Sequence, residues 1–210
     1  MVLSIDRDRY RSTHHLRDSA AIDQQPLLLA DTPVLRSASM ADVKVRRIRD
    51  DEAALLRELR LRSLTDAPEA FGQTADDAAS RVDEEWRQQT RAAATGERRA
   101  WFVAETGPPA RAIGLVNGRR RPPDEVMLFS MWVEPESRRL GVGRELIDAL
   151  DAWARDWGAR RTVLWVFAGN EPAIRFYERL GFSVEDGTPD AEIGRSYGAL
   201  AMCRPTAETS

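Results

Sequence analysis

The chain has 210 residues, 42% of them hydrophobic, and a net charge of −3, the profile of an ordinary globular protein with room for one domain and a tail. Lys and Arg number 31 against 34 Asp and Glu; this near balance disfavours nucleic acid as the main partner, and no run of about eighteen apolar residues is present to span a membrane. The single cysteine, Cys203, leaves no internal disulfide and suits a reducing, cytoplasmic compartment.

Residues 1–39 mix arginines, aspartates, serines and two prolines without periodicity. Leu27-Leu28-Leu29 is too short for a signal-peptide core. The stretch reads as a disordered N-terminal extension. Met40 precedes the first good strand and is an alternative translation start. The only histidines, His14 and His15, lie in this extension, and without further ligands they read as solvated residues, not a metal site.

The domain is expected over 42–204. Val43, Val45 and Ile48 suggest a first strand, and Asp50 can cap a helix carrying Leu55, Leu56, Leu59 and Leu64. Residues 66–74 break the pattern. A second helix is expected over 76–94, with Val82 and Trp86 on one side and an acidic face elsewhere. Trp101–Ala104 and Ile113–Val116 read as strands joined by a turn at Thr106–Pro109. Arg119-Arg120-Arg121-Pro122-Pro123 reads as a loop tip of solvated charge.

Glu125–Val133 reads as the next strand. By simple alternation Glu125 and Met127 share one face and Glu134 takes the other. The strand ends at Pro135, and Arg138-Arg139-Leu140-Gly141-Val142-Gly143-Arg144 follows. Val142, Leu146, Leu150, Trp153 and Trp157 then form one apolar helical face. The two glycines therefore stand at a strand-to-helix turn, where the first peptide N–H groups lack helical partners and negative charge is favoured. With three arginines alongside, this is a phosphate or pyrophosphate site. A Walker loop would need Gly-Lys-Ser/Thr, which is absent. A dinucleotide loop would need a third glycine where Leu146 stands. A coenzyme A loop remains.

Thr162–Ala168 is nearly all apolar, as in a strand buried on both faces. In Asn170-Glu171-Pro172-Ala173-Ile174-Arg175-Phe176-Tyr177-Glu178-Arg179-Leu180-Gly181-Phe182, Asn170 can cap a helix, Pro172 suits its first turn and Gly181 its left-handed stop. Ser183-Val184 and Ala199–Cys203 complete the sheet, 186–198 reads as a loop, and 205–210 as a tail.

Arg138-x-x-Gly141-x-Gly143 and Asn170-x-x-Ala173-x-x-Phe176-Tyr177-x-x-x-Gly181-Phe182 resemble, in order and spacing, the two hallmarks of the GCN5-related N-acetyltransferases. The resemblance implies that family's α/β fold, a mixed central sheet with helices on both faces. It implies acetyl-CoA as cosubstrate, a primary amine of a small molecule or protein as acceptor, and no metal. Homodimers are common in the family. A non-catalytic acyl-CoA-binding regulatory domain is the alternative.

The family's roles carry over residue by residue. Met131, Trp132 and Val133 would pair with the pantetheine arm. Arg138, Arg139, Leu140, Gly141, Val142, Gly143 and Arg144 would hold the pyrophosphate, largely through backbone N–H groups. Asn170 would touch the pantetheine, and Tyr177 would face the sulfur. The 71–74 segment would lie near the acceptor. The position of the family's glutamate base is Met127 here, so Glu125, two residues earlier on the same face, is the candidate base, with a water relay as the alternative.

Overall fold

The computed structural model describes residues 43–206 except Gly187. The expected extension, Met40 and the two histidines lie outside the described residues. The elements are β1 (Lys44–Arg47), α1 (Ala53–Asp66), α2 (Ala75–Ala79), α3 (Asp83–Ala94), β2 (Arg99–Thr106), β3 (Arg111–Arg121), β4 (Glu125–Val133), α4 (Val142–Asp156), β5 (Arg161–Phe167), α5 (Glu171–Arg179), β6 (Ser183–Val184), α6 (Pro189–Ser196) and β7 (Ala199–Pro205). The sheet order is β1-β2-β3-β4-β5-β7-β6. All neighbours are antiparallel except β4 and β5.

Side-chain alternation sorts the core by sheet face. One face carries α4 and α5: Val126, Leu128 and Met131 of β4 and Leu164 and Val166 of β5 pack with Val142, Leu146, Leu150 and Tyr177. The other face is divided. Trp101, Leu115 and Trp132 pack under α1–α3 with Leu56, Leu59, Phe71 and Trp86. Met127, Phe129, Val163 and Trp165 pack with Ala191 of α6.

Four expectations are corrected. The helix expected over 76–94 is broken: Val82 has extended backbone, is 64% exposed and precedes the start of α3. Asp83-Glu84-Glu85 favours a helix beginning, not a helix interior. Asp50 does not cap α1, whose N-cap is Glu52; Glu52 instead accepts from Arg46 (2.7 Å) and from the Arg49 N–H (2.8 Å). The three arginines at 119–121 belong to β3. Arg119 lies over the Phe129 ring and Arg120 over Trp153 and Trp157, so their stems and charge find aromatic faces. The 186–198 loop contains α6, capped by the Thr188 hydroxyl, which accepts from Ala191 N–H at 3.1 Å. At the chain's end, β7 runs to Pro205, and Thr206 N–H donates to the Arg160 carbonyl at 2.8 Å.

Candidate functional site

The site begins with an irregularity in β4. Asn117 of β3 stands opposite Phe129, but Leu115 stands opposite Trp132. Two β4 residues, Ser130 and Met131, thus face one β3 residue, Val116. Ser130 takes the left-handed φ of 52°. This is a β-bulge, which bends a strand and interrupts its pairing. It also resets the alternation. Met131 joins the α4 face, and Trp132 joins the face of Met127 and Phe129. Glu134 follows Trp132 and reaches Arg62 of α1 and Arg111. The simple alternation expected for Glu134 is therefore overturned by one extra residue.

On its other edge β4 pairs with β5 at three positions only, the last being Met127 with Val163. From there β5 continues to pair with β7 as far as Phe167. The two parallel strands part, and the remainder of each is turned toward the gap between them.

The turn after β4 leads to the helix start. Arg139 (φ 64°) and Gly141 (φ 85°) are left-handed, a backbone pattern that turns successive N–H groups into a concave anion-binding nest. The first bonds of α4 run from Arg144 and Glu145 N–H to the Gly141 carbonyl, so the N–H groups of Val142 and Gly143 precede the helical ladder. Gly143 has a packing role. A Cβ there would meet Phe176 Cζ at 2.9 Å and Met131 Cε at 3.1 Å. The missing side chain thus lets α5 and β4 close on the helix start.

Arg139 and Arg144 are exposed beside this turn. Arg138 is turned away from it: its Nε donates to the Val133 carbonyl at 2.9 Å, and its guanidinium pairs with Asp66 at the end of α1. Asp66 also accepts from Trp132 Nε1 at 2.9 Å.

Asn170 caps α5, its Oδ1 accepting from Ala173 N–H at 3.3 Å. Tyr177, two turns on, is fully buried. It meets Phe176 and Phe182 edge-on at 5.1 and 5.5 Å. Its hydroxyl has no hydrogen-bond partner, and burial drives its pKa well above the ordinary phenol range. An orphaned buried hydroxyl is uncommon in a native core.

A family model described as the acetyltransferase (GNAT) family matches residues 57–182. The chain belongs to the acetyltransferase (GNAT) family. Among sequence relatives, it is similar to a mycothiol acetyltransferase of Geodermatophilus obscurus, 28% identical over 173 residues, which cover 80% of this chain and 50% of that protein. It is also similar to a mycothiol acetyltransferase of Acidothermus cellulolyticus, 32% identical over 150 residues, covering 67% of this chain and 45% of that one. The chain spans about half the length of the curated relatives it matches. Its fold is that of a GNAT-family acetyltransferase from Streptococcus pneumoniae (TM-score 0.63, 19% identity, covering 78% and 99% of the two chains). It is also that of PaiA N-acetyltransferase from Thermoplasma acidophilum, solved in complex with coenzyme A (TM-score 0.60, 15% identity, 78% and 98%).

Within this GNAT domain Glu125 is heavily engaged. Arg121 Nε donates to its Oε2 at 2.7 Å, and Arg161 pairs with its Oε1. Arg121 also holds Asp190 of α6, and Arg161 holds Glu185 at 2.5 Å. The candidate base is thus the centre of an ion network that joins β3, β4 and β5.

Several residues of the site have no motif to announce them. Asp66 is one. Arg60 is another: it is 3% exposed, donates to Gln73 Oε1 at 3.0 Å and Ser63 Oγ at 3.3 Å, and lies over the Phe71 ring. Burial, with the like charge of Arg81, pushes its pKa down to about 9. It fixes Phe71 and Gln73 in the segment after α1. Ser130 left a faint signal, a polar residue inside an apolar run. No helix among the described residues is long and apolar enough to cross a membrane.

Proposed function

We propose that this chain moves an acetyl group from acetyl-CoA to a primary amine, on a small molecule or a protein, by direct attack of the amine on the thioester. The observation that carries this reading is the fully buried, unpartnered hydroxyl of Tyr177. It sits in the cluster that includes Leu128, Met131, Leu164 and Val166, the α4-side residues of the parted strands. A group that costs about 1–3 kcal/mol when left unsatisfied is consistent with a partner that arrives with the cosubstrate.

The remaining roles follow the same logic. The N–H groups around Gly141–Gly143 would receive the pyrophosphate, with Arg139 and Arg144 adding positive charge. The β4 backbone from Met131 to Val133 would pair with the pantetheine arm, and Asn170 would lie beside it while capping α5. Arg138 acts at one remove, fastening the turn to Asp66. Bound acetyl-CoA supplies an activated acetyl group, which the amine nitrogen takes up as the thiol departs. A β4 N–H near Trp132 or Val133 would steady the charge on the carbonyl oxygen. A phenol is protonated at neutral pH, so Tyr177 would donate a hydrogen bond to the sulfur.

The acceptor must be neutral to attack, and an alkylamine with pKa of about 10.4 is neutral about once in a thousand at pH 7. Glu125, with both oxygens on arginines, is poorly placed to accept that proton. We assign the deprotonation to water. The free Cys203 suits a reducing, cytoplasmic setting.

The test is titration calorimetry with acetyl-CoA followed by thiol release over an amine panel. Saturable binding that is lost in a Gly141→Glu, Gly143→Glu double variant, and thiol release that falls in Tyr177→Phe, are expected. Binding without release from any amine would favour the non-catalytic acyl-CoA-binding alternative.

A further inference from the structure

Arg60 carries a buried charge that the fold does not neutralise. The charged residues most deeply buried among the described ones are Arg60, Asp151 and Asp190. Asp151 holds Arg204 and Asp190 holds Arg121. Arg60, 3% exposed, has only neutral partners: Gln73 Oε1 at 3.0 Å, Ser63 Oγ at 3.3 Å and the Phe71 ring, whose centroid is 5.1 Å away. Its neighbours one turn away on α1 are Leu56, Arg57, Ser63 and Leu64, none of them acidic. The charge that bears on it is a like one, that of Arg81, and Asp77 of α2 is turned to the Thr74 N–H at 3.2 Å. A guanidinium keeps its charge wherever it is placed, and a charge taken out of water without an opposite partner is costly.

Gln73 shows what shape of anion would serve. Its side-chain amide and a carboxylate are planar groups of one outline, and they differ in charge. The amide oxygen therefore stands where a carboxylate oxygen would stand. Gln73 is half-buried between exposed Gly72 and exposed Thr74, so the group that covers the guanidinium belongs to a surface turn. A planar carboxylate fits the space that this amide would vacate better than a tetrahedral phosphate does, and a guanidinium binds it by charge-assisted hydrogen bonds stronger than those to an amide.

We propose that Arg60 is the binding site of a small carboxylate ligand, which displaces the Gln73 amide and pairs with the guanidinium. Phe71, which lies on the same guanidinium, packs in one cluster with Trp132 of β4, so the site adjoins the strand end at which acetyl transfer is placed above. The carboxylate belongs either to the amine acceptor itself or to a separate small molecule. That choice rests on the acetyl-transfer reading; the site does not.

The experiment titrates the full chain with sodium acetate, against sodium chloride at equal ionic strength, and reads the thermal midpoint. A saturable rise of roughly 2–4 °C over chloride is expected. Gln73→Ala, which removes the competing amide, should respond at several-fold lower acetate, and Arg60→Gln should not respond. Gln73→Glu keeps the outline and supplies the missing charge from within, so the result does not depend on Arg60→Gln folding. It should melt roughly 2–4 °C above wild type and lose the acetate response. Its gain should disappear as pH falls below about 4.3, because pairing lowers the folded pKa of the new carboxylate. Glycine and β-alanine are then compared with methylamine and ethylamine as acetyl acceptors. A preference for the amino acids that is lost in Gln73→Glu assigns the carboxylate to the acceptor; no such preference, with acetate binding intact, assigns it to a separate ligand. Acetate no more stabilising than chloride in both wild type and Gln73→Ala, an acetate response that survives in Arg60→Gln, or a lowered midpoint in Gln73→Glu overturns the proposal. Failure to bind acetyl-CoA would defeat the acetyl-transfer reading and leave this site standing.

Discussion

Asp66 Oδ2 accepts a hydrogen bond from Trp132 Nε1 at 2.9 Å. The same carboxylate holds Arg138, whose Nε is anchored on the Val133 carbonyl. One side chain at the end of α1 thus ties the strand beyond the bulge to the turn that leads into α4. Asp66→Ala is expected to leave the Trp132 N–H unsatisfied and to cost about 1–3 kcal/mol of stability. Denaturant unfolding will read that loss, and calorimetry should show acetyl-CoA binding weakened several-fold. Asp66→Asn, which can still accept from Trp132, should recover more of the stability than of the binding.

Tyr177→Phe should separate stability from activity. The lost hydroxyl has no partner in the fold, so thermal stability should stay level or rise. Acetyl transfer should fall on the order of 10²-fold. A loss of both together would mean that the hydroxyl serves the fold.

The pH behaviour of this tyrosine follows from its raised pKa, caused by burial. Below the ordinary phenol value of about 10, the side chain is neutral folded and unfolded and contributes no pH dependence. Above it, the unfolded chain releases the proton while the folded chain keeps it, so stability falls with rising pH. Urea midpoints of wild type should drop above pH 10 more steeply than those of Tyr177→Phe.

Gly143→Ala should destabilise by about 1–3 kcal/mol through overpacking, because the new Cβ would lie 2.9 Å from Phe176 Cζ and 3.1 Å from Met131 Cε, closer than van der Waals contact. Pairing it with Phe176→Leu should recover part of the loss in thermal melts.

Glu125→Gln should act on the ion network and not on the proton of the acceptor. A destabilisation of roughly 1 kcal/mol is expected, since Arg121 and Arg161 keep about a third of their side chains in water. The alkaline limb of the pH–rate profile should be unchanged. A shifted limb would restore Glu125 as the base.

The elements around the turn before α4 were legible because their signals are local. Gly141, Asn170, Pro172 and Gly181 each occupy the helix-end position that their own backbone chemistry favours. Glu125–Val133 and Ser183–Val184 matched to the residue for the same reason, as runs bounded by turns. What escaped depends on distant partners. Arg119 and Arg120 read as solvent-facing charge until Phe129, Trp153 and Trp157 supply them with rings. Asp66 is an ordinary helix-end acid until Trp132 and Arg138 fold onto it. The identity of Glu125 as an ion-network centre needs Arg161, which lies 36 positions along the chain.

The extra residue at Ser130 has a further consequence. A strand that kept Ser130 but lost the bulge would alternate evenly through it, and Met131 and Trp132 would exchange sides. The apolar filler of the helix start would then face α1, and the indole that Asp66 grips would be driven into the base of α4. The two linings of the cleft are thus kept apart by arithmetic as much as by chemistry: one left-handed residue changes the parity of everything after it. Deleting Ser130 alone, which removes the bulge together with its extra residue, should leave both linings on their own faces.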